Sequence, residues 1–468
     1  MEYGEIHHQG LSGLSELVRS RRASPSEILD ALLARVSALD GELHAFVTVA
    51  ADRARKLAAE AERDIAHGNW RGPLHGLPFA AKDLLASGDI PSEVGMPIFR
   101  GRKTDQPATS IARMEAAGAI LMGKTRQTEG TLSGYHPEDV EPVSAWDPSH
   151  WPGASSSGSG VALAARLCPA TLSSDTGGSI RTPSALSGVT GLMPSWGRVS
   201  LAGAYPVAPS LDCVGPMARS AEDCAMMLNA IAGHDPRDPF SSRAPAPDYH
   251  AEISRPIAGM VVGFAENAYE SVDGRVRAAV EHCKEVLQSR GARIRHVQYP
   301  DTREALRGWV DISLAELALV HADDFKAHES RYGPALGAAI RSGQAVTTGQ
   351  LLQATFARMA LVNAMRELFD GLDALILPVS AAPTAFVSDI VASGADMREV
   401  YPIHAPYLGA FNLTGQPTIT LPAGQTESGL PIGVQLVGWR LAEAPLLRLA
   451  HAFQQCTSWH TRRPERIN

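Results

Sequence analysis

Residues 151–196 read WPGASSSGSGVALAARLCPATLSSDTGGSIRTPSALSGVTGLMPSW. Two glycine/serine-rich turns, 153–160 and 177–179, bracket a compact apolar segment at 161–172. That segment is too short to span a bilayer, but it suffices for a buried helix and a strand. Each turn sets small hydroxyl side chains and bare backbone N–H groups beside a core element. Acyl transfer needs this combination: a serine oxygen next to donors that can hold an oxyanion. A single Ser/Gly run reads as a flexible linker. Two runs around a buried segment, the second continuing Asp175-Thr176-Gly177-Gly178-Ser179-Ile180-Arg181, do not.

The surrounding chain has 468 residues, 44% of them hydrophobic and 20% charged, as expected of a globular protein. Length alone suggests about three domains, yet no stretch reads as a domain-separating linker. The nearest, 233–256, is rich in Pro and Asp and reads as an extended surface connection. The formal charge of −8 argues against nucleic acid or an anionic membrane as partner. No apolar run approaches the ~20 residues of a membrane span, and the start, MEYGE, lacks the features of a signal peptide. Five widely spaced cysteines with no C-x-x-C suggest reduced thiols in a cytoplasmic setting.

Periodicity predicts helices through 11–66, one of them starting at Ser24-Pro25-Ser26-Glu27 and another, more exposed, at 51–66. A short apolar run at 77–81 then predicts a buried strand ending at Lys82. Helix and strand alternate beyond it: helix 108–117, strand 119–122, helix 158–166, strand 170–173. Further strands are expected at 260–264, 292–297, 374–377, 418–421 and 432–437, with helices at 276–289, 350–369 and 444–453. Such alternation implies an α/β fold around a largely buried sheet.

One tempting motif fails. Gly118-Ala119-Ile120-Leu121-Met122-Gly123-Lys124-Thr125 satisfies the phosphate-loop pattern G-x-x-x-x-G-K-[ST]. A phosphate loop follows a strand and opens a helix; here the glycine follows a helix and the variable positions form an apolar strand. There is likewise no H-E-x-x-H, no G-x-S-x-G and no S-x-x-K. Any serine chemistry must therefore be assembled from distant parts of the chain.

The pairing SSSGSG…SSDTGGSIRTPSA resembles the signature stretch of the amidase signature family, serine hydrolases of amide bonds with a Ser–Ser–Lys triad. The likeness extends to His75-Gly76-Leu77-Pro78-Phe79-Ala80-Ala81-Lys82-Asp83, to Pro209-Ser210-Leu211-Asp212, and to the block running from Gly215-Pro216-Met217 to Ser220. It also covers Phe411-Asn412-Leu413-Thr414-Gly415-Gln416-Pro417 and Gly429-Leu430-Pro431-Ile432-Gly433-Val434-Gln435. The resemblance implies a central mixed, twisted sheet with helices on both faces, in one domain over 1–468. That domain would hold an N-terminal helical segment (1–70), a signature core (71–235) and a variable cap (300–411).

The resemblance also implies roles. Ser179 is the nucleophile, Lys82 the base, and Ser155, 24 residues before Ser179, the bridge between them. Lys82 can take a proton only when neutral, so burial must lower its pKa from about 10.4. A cis bond is expected at Ala154–Ser155, although Ala154, Ser157 and Gly160 depart from the family's usual residues. The backbone N–H groups of Thr176, Gly177, Gly178 and Ser179 would form the oxyanion hole, braced by Asp175 and Arg181, with Ser156 supporting Ser155. No metal or organic cofactor is required.

Specificity is less legible. Thr131, Tyr135 and Trp151 are the expected substrate-binding residues, under cap aromatics Trp309, Phe325, Tyr332, Phe356, Tyr401 and Tyr407. An aryl or medium alkyl amide, anilide or carbamate is the expected substrate, for a monomer or homodimer. The alternative is the A subunit of a tRNA-dependent glutamine amidotransferase. That branch is expected to carry a lysine where this chain has Met193, and Ser133-Gly134-Tyr135-His136 also departs from it.

Overall fold

The computed structural model describes residues 6–132, 134–269, 271–392 and 407–467. Ser133 and Tyr401 lie outside the described residues, as does the stretch 1–5. Among the described residues eleven strands are found: β1 Phe46–Val49, β2 Pro78–Lys82, β3 Ile120–Thr125, β4 Ala170–Asp175, β5 Thr190–Met193, β6 Cys213–Ala218, β7 Val261–Phe264, β8 Arg293–His296, β9 Ala374–Pro378, β10 Thr418–Gln425 and β11 Pro431–Val437. They join in one sheet in the order β1-β3-β2-β4-β6-β5-β10-β11-β9-β7-β8. The sheet is mixed: β3-β2-β4 and β9-β7-β8 run parallel, and the pairs between and beside them run antiparallel. Every residue of β2, β3, β4, β5, β6, β9 and β11 is buried. Because successive side chains point to opposite faces, this requires cover on both faces of the sheet.

The helix starting at Ser24 forms as expected. Ser24 Oγ accepts from Glu27 N at 3.2 Å, and Glu27 Oε2 accepts from Ser24 N at 2.8 Å, a reciprocal cap on Pro25–Leu43. The expectation of helix throughout 11–66 is corrected at its middle. His44 ends that helix in the left-handed conformation, and Phe46–Val49 then pairs antiparallel with β3 at the sheet edge. The phosphate-loop motif is set aside by geometry as well as by pattern. Gly123, Lys124 and Thr125 continue β3, and the buried Lys124 Nζ bonds to Leu85 O (2.5 Å) and Ser92 Oγ (2.7 Å).

Residues 300–411 are not a cap throughout. Helices Arg303–Val320, Ala322–His328, Pro334–Gln344 and Thr348–Leu368 come first, and then Ala374–Pro378 enters the sheet as β9. Trp309, Phe325, Tyr332 and Tyr407 are buried, whereas Phe356 is 65% exposed and lines no interior. No helix among the described residues is long and apolar enough to cross a membrane.

The first Ser/Gly run is no linker. It enters helix Ser157–Ala164, all eight residues of which are buried, and Ser159 Oγ meets Thr125 Oγ1 (2.7 Å) and Ser173 Oγ (3.0 Å). A Cβ added at Gly158 would lie 2.3 Å from Ala45 O and 2.6 Å from Arg126 O, both backbone atoms. Gly158→Ala is therefore expected to destabilise by at least about 1–3 kcal/mol in urea denaturation. An unchanged unfolding midpoint would show that the close approach of this helix to β3 is not required.

Candidate active site

Lys82 ends β2 at the centre of the parallel segment, flanked by β3 and β4. Its side chain is fully buried. Nζ lies 2.7 Å from Ser155 Oγ and 3.0 Å from Ser174 Oγ, so its neighbours are hydroxyls rather than carboxylates. Burial lowers its pKa to about 7, outweighing the opposing charges of Asp175 and Asp212. Ser155 is buried and follows a cis peptide bond from Ala154. Ser156 Oγ donates to Ser174 O at 3.4 Å, tying the bridging segment to β4.

Ser179 sits in the turn between β4 and helix Arg181–Ser187, and it is partly exposed. One carboxylate organises that turn. Asp175 accepts from the backbone N–H of Gly178 (2.7 Å), Ile180 (3.0 Å) and Arg181 (3.3 Å). The Arg181 guanidinium adds Nε to Oδ2 at 3.0 Å and Nη2 to Oδ1 at 2.8 Å. Burial alone would push the Asp175 carboxyl up, but Arg181 and these N–H groups hold it at about 2. Arg181 also reaches Leu408 O (2.9 Å) and Asn412 Oδ1 (2.6 Å), and Asn412 Nδ2 returns to Asp175 Oδ1 (3.1 Å). Gly178 has φ +122°, and a Cβ there would meet Leu408 Cδ1 at 2.5 Å.

This geometry corrects the expected oxyanion hole in one respect. The Gly178 N–H is committed to Asp175 and is not a spare donor. Thr176 is fixed at both ends, its Oγ1 donating to Asp212 Oδ1 (2.5 Å) and its carbonyl accepting from Trp309 Nε1 (3.0 Å).

The expected substrate-binding residues are dispersed. Thr131 is buried, with Oγ1 accepting from Gln127 Nε2 at 2.8 Å, and its turn touches the Ser155 segment where Thr128 N donates to Ser155 O. Tyr135 OH donates to Ser157 Oγ at 2.6 Å, two residues past Ser155. Trp151 is half-buried, and its backbone pairs with Ala385 O (3.0 Å) and Thr384 Oγ1 (2.8 Å). A cavity of about 220 Å³ reaches Ser174 past Leu84, Tyr205, Val207, Asp212 and Phe240, and none of the three expected residues lines it.

Ser174, Asp212 and Asn412 belong to the site's framework without a role in the sequence reading, and Trp309, expected as a cap aromatic, joins it through the Thr176 carbonyl. Ser174 had a usable signal, as a small hydroxyl next to Asp175 at the end of a strand. Trp309 and Asn412 had none, because their partners lie 133 and 237 residues away.

A buried lysine among hydroxyls thus stands beside a carboxylate-braced glycine turn, an arrangement compatible with amide hydrolysis. Comparison with known proteins agrees, since the model of the family described as Amidase matches residues 27–447. "Putative amidase AmiD" of Mycobacterium tuberculosis is 38% identical over 454 residues, covering 97% of this chain and 95% of that protein. The A subunit of the glutamyl-tRNA(Gln) amidotransferase of Chloroflexus aurantiacus is 35% identical, covering 99% of both. The structure of 6-aminohexanoate cyclic dimer hydrolase complexed with substrate superposes with a TM-score of 0.89 at 27% identity, over 99% of this chain and 100% of that one. The chain belongs to the amidase signature family. It is an amidase, an enzyme of C–N bond hydrolysis.

Removing one partner of a buried, hydrogen-bonded pair leaves the other charge uncompensated, at a cost of about 3–5 kcal/mol. Arg181→Ala should lose that much stability in urea. Arg181→Lys should recover only part of it, because an ammonium cannot make the two-pronged contact to Asp175. Full recovery by lysine would show that charge alone braces the turn.

Proposed function

We propose that this amidase is a stand-alone serine hydrolase of small-molecule amides, working through an acyl-enzyme on Ser179. The observation that carries this reading is the 2.7 Å contact of the buried Lys82 Nζ with Ser155 Oγ. Neutral Lys82 accepts the Ser155 proton as Ser155 takes the proton of Ser179, whose oxygen attacks the substrate carbonyl. The negative charge on the tetrahedral oxygen is held by backbone N–H groups of the 176–179 turn. Donors of this kind are worth about 2.7–4 kcal/mol each. Collapse expels the amine, which takes the proton back from Lys82 through Ser155. Water activated by the same relay then releases the acid and free Ser179.

Thr131, Tyr135 and Trp151 are proposed to shape the acyl side of the pocket, which favours aryl or medium alkyl groups in amides, anilides or carbamates. The enzyme acts in the cytoplasm as a monomer or homodimer. The amidotransferase reading has support from relatives such as the Chloroflexus protein. Against it stands Met193, buried in β5 with its sulfur 3.3 Å from Asn412 Nδ2, where that branch is expected to carry a lysine.

Purified protein tested on a 4-nitroanilide, a benzyl carbamate, indole-3-acetamide and glutamine should hydrolyse one or more of the first three. Ser179→Ala should abolish that activity. Turnover of glutamine alone would favour the amidotransferase reading, and activity surviving in Ser179→Ala would refute the nucleophile.

The relay also predicts a pH profile. Lys82, with its pKa lowered to about 7, is the active base only above that pH. The rate of Ser179 acylation should fall about tenfold per pH unit below it. An acylation rate flat down to about pH 5 would exclude Lys82 as the base.

A further inference from the structure

Away from the active site, four arginines and two histidines converge where the two ends of the chain meet. Arg35, from helix Pro25–Leu43, donates Nε to Ala165 O (2.8 Å) and Nη2 to Ile467 O (2.7 Å). Arg166 donates Nη1 to His8 O (3.2 Å) and Nη2 to Thr461 O (3.1 Å). Arg219 bonds to Cys168 O (3.2 Å) and Gln9 O. Arg463 Nη1 lies 2.7 Å from His8 Nε2, and the His7 and His8 rings are 4.1 Å apart.

All of these bonds go to carbonyl oxygens or to imidazole, none to a carboxylate. Asp223 acts on Arg219 from nearby; its Oδ1 accepts from Ser12 N, and its Oδ2 is buried with no hydrogen-bond partner among the described residues. Arg166 and Arg219 are only 6% and 8% exposed. Arg166 Nε is buried with no hydrogen-bond partner among the described residues. The rim is open, since Arg463 is exposed and Arg35, His7 and His8 are partly so. Among the described residues Asp223 offsets charge at Arg219; buried like charges without a full counter-charge are costly, and a planar guanidinium is the side chain best matched to a forked oxyanion.

We propose that Arg35, Arg166, Arg219 and Arg463, with His7 and His8, form a binding site for a small tetrahedral oxyanion of the phosphate or sulfate class. The ion supplies further counter-charge and a partner for Arg166 Nε, and it ties the N-terminal segment to the C-terminal one. The titration of the cluster agrees. Burial, then the charges of Arg219, Arg463 and Arg35, lowers Arg166 to about 9. Burial and the surrounding groups push both histidines down to about 4; these are Arg35, Arg166, Arg219 and the neighbouring His8 for His7, and Arg166, Arg463, Arg35 and Arg219 for His8. A bound dianion offsets those charges and raises the histidine pKa values, so binding takes up protons and tightens as pH falls.

The test is calorimetric titration of the full chain with sulfate and with phosphate, against chloride at equal ionic strength. One site per chain is expected, with at least a tenfold loss of affinity in Arg463→Gln, whose side chain is exposed, and in Arg166→Gln. Sulfate affinity should rise between about pH 7 and about pH 5. Saturation should raise the thermal midpoint by about 2–4 °C in wild type and not in the variants. No saturable binding, or equal binding by the variants, overturns the proposal. Glu2 and Glu5 lie close before the cluster in sequence. Binding seen only in a Glu2→Gln/Glu5→Gln variant would mean that the chain's own carboxylates fill the site, which overturns it equally.

Discussion

The proposed active site at one end of this sheet depends on one lysine being taken out of water without being given a carboxylate. Moving an ammonium into a protein interior is costly, and the group responds by giving up its proton more readily. Lys82 is buried completely, its polar neighbours are Ser155 and Ser174, and its pKa falls to about 7. Lys124, on the neighbouring strand β3, is equally buried, and burial lowers its pKa as well, to about 8, although Asp83 stands 3.7 Å from its Nζ. Two backbone carbonyls and Ser92 Oγ hold Lys124, whereas Lys82 meets the hydroxyls of Ser155 and Ser174, which can pass a proton on.

The second requirement is a firm turn for Ser179, the proposed nucleophile. The Asp175–Arg181–Asn412 cluster provides it. One carboxylate gathers three backbone N–H groups of the turn, a guanidinium and an amide, and so joins the end of β4 to helix Arg181–Ser187 and to the segment around Leu408. Its charge is paired and its lone pairs are filled, which are the conditions under which a buried ion pair is tolerated. The cluster also spends the Gly178 N–H, so rigidity of the turn and donation to an oxyanion draw on the same few groups.

Much of this was legible in the sequence because the signal was local. Lys82 at the end of an apolar run, the Ser/Gly turns and the Asp175-to-Arg181 block all carry their chemistry in adjacent residues. The strands that escaped notice, β1, β5 and β6, are four to six residues long, and two of them contain Gly191, Gly215 and Pro216, which weaken any strand pattern. β1 was hidden between two helices, since the turn at His44 rests on a left-handed residue that composition does not announce. Trp309 and Asn412 take their meaning from partners far along the chain, which no window of sequence contains. The substrate side is the least legible, because Thr131, Tyr135 and Trp151 lie in the long connection between β3 and helix Ser157–Ala164 and the fold ties each to a different neighbour.

The most direct measurement is the titration of Lys82 itself, followed by NMR through the ¹³Cε and Nζ resonances of isotope-labelled lysine and assigned with a Lys82→Met variant. The account predicts a single transition near pH 7, about three units below an ordinary lysine. A transition above about pH 9 would mean that Lys82 is charged at neutral pH. Burial among hydroxyls would then not be what prepares Ser179 for attack.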